Sequence, residues 1–133
     1  IEVFHRHGVP LEKILIGAAW YSRQWKQVPD EKHGLHAYVG EGSDYGPGYT
    51  QLMRDYVNQN GYIRYWDDAA KAPYLFNGDN FITYDDEESL RWKCRLVRES
   101  GIAGIMVWEY TYDEEHTLLR VMDEALRSPL PEK

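Results

Sequence analysis

Cysteine is nearly absent from this 133-residue chain. Cys94 stands alone, so neither an internal disulfide nor a cysteine metal cluster can form. No apolar run approaches the roughly 20 residues of a membrane-spanning helix. The first residues, Ile1 to Gly8, show neither the basic lead nor the following apolar stretch of a secretory signal. A basic excess is missing as well. Fifteen Lys and Arg stand against 22 Asp and Glu, a formal charge of −7, which argues against nucleic acid or an anionic membrane as the main partner. The length allows one ordinary domain with a real core and excludes a complete eight-stranded barrel enzyme.

What the chain has in abundance is polar aromatic surface, five Trp and eleven Tyr against three Phe. Such rings stack through an apolar face and keep a polar edge for a hydroxylated partner; an aromatic-rich core is the alternative.

The opening residues read as the last turns of a helix, stopped at Gly8 with Pro10 beyond, so a start inside a larger fold is expected. Lys13 to Trp20 is an unbroken apolar run, the pattern of a parallel strand covered on both faces. The stretch from Gln24 to Gly48 is rich in glycine and reads as mostly irregular or short hairpin structure. Tyr49 to Asn60 predicts a helix with Leu52, Met53, Tyr56 and Val57 inward. Tyr62 to Trp66 alternates like a strand, and Ala72–Phe76 faces Phe81–Tyr84 across an Asn77-Gly78-Asp79-Asn80 turn.

Asp85 and Asp86 offer an N-cap for a helix reaching about Arg98 and closed by Gly101, with Leu90, Cys94 and Val97 inward. Arg91, Arg95 and Arg98 share its outer face, read as solvated rather than anion-binding. Ile102 to Trp108 is a second unbroken apolar run. An acidic loop follows, then a helix with Leu118, Leu119, Met122, Ala125 and Leu126 inward. Strand, helix, strand, helix makes an α/β pattern, interrupted by an α+β insertion.

Most side chains that carry chemistry elsewhere are poorly placed here. His5 and His7, two apart on a helix, diverge by about 200° and suit no shared metal. No Gly-x-Ser-x-Gly elbow exists. Carboxylates are plentiful, yet only Glu109 and Asp113 follow a strand end in apolar surroundings. The two apolar strands end in Trp20-Tyr21-Ser22-Arg23 and Val107-Trp108-Glu109-Tyr110, and in parallel αβ barrels such ends line the active-site mouth. An indole matches the C–H face of a pyranose, while Tyr and Arg donate to hydroxyl or acetamide oxygens. Trp20, pointing opposite to Tyr21, reads as a core plug.

Four ordered blocks carry a family resemblance. Gly8-Val9-Pro10-Leu11-Glu12-Lys13-Ile14-Leu15-Ile16-Gly17 with Tyr21-Ser22-Arg23 resembles the seventh strand of glycoside hydrolase family 18. Trp66-Asp67 and Ala72-Pro73-Tyr74-Leu75 resemble its chitinase insertion domain. Tyr84-Asp85-Asp86-Glu87-Glu88-Ser89-Leu90 with Lys93 resembles its Tyr-Asp-Asp-x-Glu-Ser segment. Gly101-Ile102-Ala103-Gly104-Ile105-Met106-Val107-Trp108-Glu109, with Asp113 beyond, resembles its eighth strand. Ser22 stands where the family's Tyr-Gly-Arg has Gly, and Gln51 about where many members have Glu.

The resemblance implies a partial (β/α)8 TIM barrel, its seventh and eighth βα units in residues 1–23 and 84–133, with an α+β insertion domain in 24–83. It implies substrate-binding roles for Trp108, Tyr21, Arg23, Gln51 and Glu109, with Trp108 flooring the −1 sugar subsite and Met106 packed beneath. It implies no metal or other cofactor, and a secreted or extracellular setting. The family's Asp-x-x-Asp-x-Asp-x-Glu signature does not occur in the sequence, so no catalytic residue is expected in this segment. Family hydrolysis is substrate-assisted: the Glu protonates the glycosidic oxygen and the sugar's acetamide attacks the anomeric carbon, outside the two-carboxylate scheme. The expected partner is chitin or an N-acetylglucosamine oligosaccharide. The parent is read as a chitinase, with an inactive chitin-binding lectin, or a hydrolase of another N-acetylated glycan such as peptidoglycan, as alternatives. The isolated segment, with its open strand edges, is expected to self-associate and to be inactive.

Overall fold

The computed structural model describes residues 1–40 and 42–129; Glu41 and residues 130–133 of the expected 84–133 stretch lie outside it. A short helix α1 (Glu2–Arg6) ends at His7, and Gly8 takes a positive φ of 91° that turns the chain towards Pro10. A 3-10 turn over Leu11–Lys13 leads into strand β1 (Leu15–Ala19). Strand β2 (Tyr21–Trp25) follows after one residue. Then come β3 (Asp44–Gly48), α2 (Tyr49–Asp55), β4 (Ile63–Asp67), β5 (Ala72–Phe76), β6 (Phe81–Thr83), α3 (Glu87–Ser100), β7 (Gly104–Trp108) and α4 (Thr117–Arg127).

Two sheets divide these strands. β1 and β7 pair in parallel, Gly17 opposite Met106 and Ala19 opposite Trp108. The other five form an antiparallel sheet in the order β3-β2-β6-β5-β4. Its first strand in sequence, β2, straddles the boundary expected between residues 23 and 24.

The parallel pair was expected to be covered on both faces, and only one is covered by the described residues. Ala18 packs in a core with Leu90, Cys94, Leu118, Val121 and Met122, against which Ile105 and Val107 also rest. The opposite face carries Leu15, Met106 and Trp108, all largely exposed. The helices cover a single side because each has one apolar stripe. On α3 the stripe is Leu90, Cys94 and Val97, as its spacing predicts. On α4 it is Leu118, Val121 and Met122. Leu119, expected inward, is exposed, because positions 118, 121, 122 and 125 lie on one face of a 3.6-residue period and 119 does not.

Asp86 caps α3, accepting from the backbone N–H groups of Glu88 and Ser89, while the Ser89 hydroxyl accepts from the Asp86 N–H. Gly101 ends the helix at a φ of 68°, a left-handed conformation glycine adopts without steric cost. Of the outer arginines, Arg91 pairs with Glu87 and Arg95 with Glu99, while Arg98 donates to the Ala125 carbonyl on α4 at 3.4 Å. Helix α2 stops at Asp55 rather than near Asn60. The Asn60 side chain donates to the Asp55 carbonyl at 2.7 Å, and the Asn58 side chain accepts from the Arg64 N–H at 3.0 Å. Two asparagines thus divert the backbone from helix into turn.

Candidate functional site

The site is built where the two sheets meet. The Trp20 N–H donates to the Trp108 carbonyl at 2.8 Å, and the Trp20 carbonyl accepts from the Tyr49 N–H at 3.0 Å. One residue's backbone therefore joins the end of β7 to the start of α2. The Trp20 side chain is buried in the helix-side core with Tyr49, so it is a core plug, as its opposition to Tyr21 predicts.

Trp108 does the reverse. It lies in register with Ala19 at the carboxyl ends of both parallel strands and is 62% exposed on the uncovered face. Met106 precedes it on that face, its sulfur 3.6 Å from where a Gly17 Cβ would stand, an ordinary contact distance. Glu109 is half-buried and accepts from the Thr111 hydroxyl.

Tyr21 and Arg23 lie on β2, where a bulge in the β2–β3 pairing brings Arg23 opposite Tyr45. The Arg23 guanidinium carbon sits 3.8 Å from the Tyr45 ring centroid and 6.0 Å from that of Tyr21. The two tyrosine rings are 5.7 Å apart at 58°. Between Tyr21 and Arg23, Ser22 points the other way, fully buried, and its hydroxyl donates to the Pro47 carbonyl at 2.7 Å. The serine is accommodated because residue 46 is glycine: a Cβ there would collide with the Ser22 hydroxyl.

Gln51 is exposed on α2. That helix is fastened to the loop after Trp108 by Thr50, whose hydroxyl donates to the Tyr112 carbonyl at 3.1 Å and accepts from the Glu114 N–H at 3.0 Å. The Tyr112 ring lies so close over Gly48 that a Cβ would collide with it. Asp113, one of the two carboxylates singled out after the second strand, is buried. It accepts from the Thr117 and Leu119 N–H groups at 2.9 and 3.0 Å, which makes it an anchor for the first turn of α4 rather than a reacting group.

The neighbouring electrostatics are set by burial. Tyr49 is held protonated well above the ordinary phenol range, chiefly by desolvation and then by Glu87 and Asp113. Among the described residues no three His, Cys, Asp or Glu side chains converge on a metal site. The arrangement offers an exposed stacking face at Trp108 and a donor fork at Arg23, whose guanidinium lies on the Tyr45 ring beside Tyr21. Tyr45 and Thr50 escape sequence reasoning because their partners lie 22 and 62 residues away, respectively; a tyrosine opening the Gly46-Pro47-Gly48 run is the one local sign of either.

The profile of Glycosyl hydrolases family 18 matches residues 2–113. Chitinase A1 of Niallia circulans is 36% identical over 132 residues, covering 93% of this chain and 18% of its own length. A family 18 N-acetylglucosaminidase from Paenibacillus barengoltzii superposes with a TM-score of 0.91 at 50% identity, covering 94% of this chain and 37% of that one. The chitinase ChiW from Paenibacillus sp. str. FPU-7 superposes with a TM-score of 0.90 at 39% identity, covering 98% and 16%. The chain thus spans well under half the length of these relatives. Its α/β architecture is theirs over nearly its whole extent, and it belongs to glycosyl hydrolases family 18.

Proposed function

We propose that residues 1–23 and 84–133 form the seventh and eighth βα units of a (β/α)8 barrel and residues 24–83 its α+β insertion domain. The protein they belong to hydrolyses β-1,4-linked N-acetylglucosamine polymers. The observation that carries this reading is Trp108, an indole left largely exposed at the carboxyl end of a parallel strand pair, where barrel enzymes assemble their active sites. A flat ring there matches the apolar face of a pyranose.

In this reading Trp108 floors the −1 subsite, Tyr21 and Arg23 wall the cleft, and Gln51 and Glu109 supply further polar contacts. The chain stacks and orients the sugar. Protonation of the leaving oxygen falls to a carboxylic acid contributed from outside these residues, since the family's acidic signature does not occur in the sequence. Residues 1–133 alone are therefore inactive, because an acetamide-assisted departure without a proton donor leaves an alkoxide.

A second reading is exo-acting release of single N-acetylglucosamine units. It is favoured by the 50% identity to the Paenibacillus barengoltzii N-acetylglucosaminidase, against 36% to Chitinase A1. The test is turnover of chitin oligosaccharides by the full-length protein and by residues 1–133, with products resolved by chromatography. Disaccharides and longer fragments support the chitinase, monosaccharide alone supports the exo reading, and binding without turnover marks a lectin. Hydrolysis by residues 1–133 alone would overturn the assignment of roles.

A further inference from the structure

A carboxylate that fixes a surface arginine also occupies the donors the arginine would offer a ligand. Arg23 is held differently. Among the described residues no carboxylate lies within ion-pair distance of it. Its guanidinium is instead stacked 3.8 Å from the Tyr45 ring centroid. Tyr45 is itself 69% exposed, so burial in a core does not account for the ring.

The backbone imposes the arrangement. Arg23 and Tyr45 are cross-strand partners next to the bulge in β2–β3, and directly opposed residues on neighbouring strands have side chains close enough to pack. Ser22 and Gly46, locked on the other side, hold the bulge in place. A π-face attracts the cation through its quadrupole and accepts none of its in-plane N–H bonds. Stacking therefore restricts the side chain while leaving its donor edge uncommitted.

We propose that Tyr45 is the positioning residue for Arg23, presenting its donor fork to a neutral acceptor oxygen of the glycan, a hydroxyl or an acetamide carbonyl. This rests on the chitinolytic reading for the identity of the ligand, but not for the geometry of the stack. An uncommitted planar fork pays little ordering entropy when it meets such an oxygen.

The test uses Tyr45→Thr, Tyr45→Phe and Arg23→Ala in the full-length protein, with N-acetylglucosamine oligosaccharides as the probe. Thr keeps the strand preference and removes the ring. Tyr45→Thr is expected to raise KM about 2- to 5-fold, the strength of an exposed cation–π contact, with the loss falling on KM rather than kcat. Tyr45→Phe is expected to restore the parent KM, and Tyr45→Thr to add nothing in the Arg23→Ala background. A crystal structure of Tyr45→Thr is expected to show the Arg23 guanidinium displaced. An unchanged KM, an equal rise in the Arg23→Ala background, a Phe variant as impaired as Thr, or an Arg23 unmoved in the crystal would each overturn the proposal. If the unsubstituted protein neither binds nor cleaves the oligosaccharides, the chitinolytic reading fails, and the crystal comparison still decides whether Tyr45 positions Arg23.

Discussion

The carboxylate of Asp85 accepts a hydrogen bond from the backbone N–H of Ala19 at 3.1 Å, across 66 residues of sequence. Ala19 ends β1, and the N–H it offers there finds no strand partner, so Asp85 completes the strand from the start of α3. The same carboxylate, 4% exposed, accepts from the Ser89 hydroxyl at 2.8 Å and pairs with Lys93. The Tyr84-Asp85-Asp86 segment thus stitches the helix layer to the strand that leads into Tyr21 and Arg23.

Replacing Asp85 with Ala should leave the Ala19 N–H orphaned and the Lys93 ammonium unpaired. Lys93 retains some solvent, so the expected loss is about 2–4 kcal/mol, near the lower end of the range for breaking a buried pair. Asp85→Asn should cost less, since an amide oxygen can still accept from Ala19. Urea unfolding checks both; equal midpoints for parent and Ala variant would mean that the carboxylate does not stitch these elements.

Thr50 is the corresponding tie between α2 and the loop after Trp108. Thr50→Val keeps the shape and removes both hydrogen bonds, and should cost about 1–2 kcal/mol, whereas Thr50→Ser should recover most of it. Differential scanning calorimetry of the three proteins distinguishes them. Loss on substitution to Ser as large as to Val would assign the effect to methyl packing instead.

The unequal visibility of these features in the sequence has a physical cause. Strands β1 and β7, the α3 cap at Asp86 and the turn after Phe76 follow from neighbouring residues: apolar runs, a carboxylate before a helix, and an asparagine whose side chain accepts from the Asp79 and Asn80 N–H groups. The place of Trp108 at the end of β7 is legible because a strand end is a local feature. Strand β3 is not. Asp44-Tyr45-Gly46-Pro47-Gly48 reads as a loop by composition, yet pairs with β2, where Gly46 admits Ser22, and lies under Tyr112, which Gly48 admits. Those contacts are long-range, so the partner of Arg23 stayed hidden with them. The uncovered face of β1 and β7 has a related cause: apolar character reports that a surface is to be buried, not whether this stretch of chain supplies the cover.

Burial pushes the phenols of Tyr49 and Tyr84 well above their ordinary range, with nearby carboxylates adding to desolvation. The unfolded chain releases these protons near pH 10 while the folded chain retains them. Above that pH the unfolded state binds fewer protons, so the stabilising contribution, complete below about pH 10, is lost as pH rises. Urea midpoints measured from pH 8 to 11 should fall above pH 10, with the two phenols lagging in a tyrosinate absorbance titration. The Tyr84 hydroxyl lies near the Arg64 guanidinium but makes no hydrogen bond of ordinary geometry among the described residues. Tyr84→Phe should therefore flatten the alkaline decline with little cost at neutral pH; an unchanged slope would exclude Tyr84 as a source.

Leu15, Met106 and Trp108 lie exposed on one face of a two-stranded sheet. Residues 1–133 in isolation should associate through this face and its unpaired edges. Sedimentation velocity over micromolar concentrations should show a rising mean coefficient; one invariant monomer boundary would rule the association out.

Trp108 separates binding from folding. Because it is 62% exposed, Trp108→Ala should leave the melting temperature of residues 1–133 nearly unchanged, where a buried aromatic would lose roughly 3–5 kcal/mol. In the full-length protein the same change removes the surface on which the distorted −1 sugar is proposed to rest. Its kcat should fall about 10–100-fold, or about 1.4–2.7 kcal/mol of transition-state stabilisation. Trp108→Phe keeps an aromatic face of smaller area and should fall between the two. A Phe variant with full kcat and a lowered melting temperature would return Trp108 to a packing role, and the floor of the subsite would have to be sought on another strand.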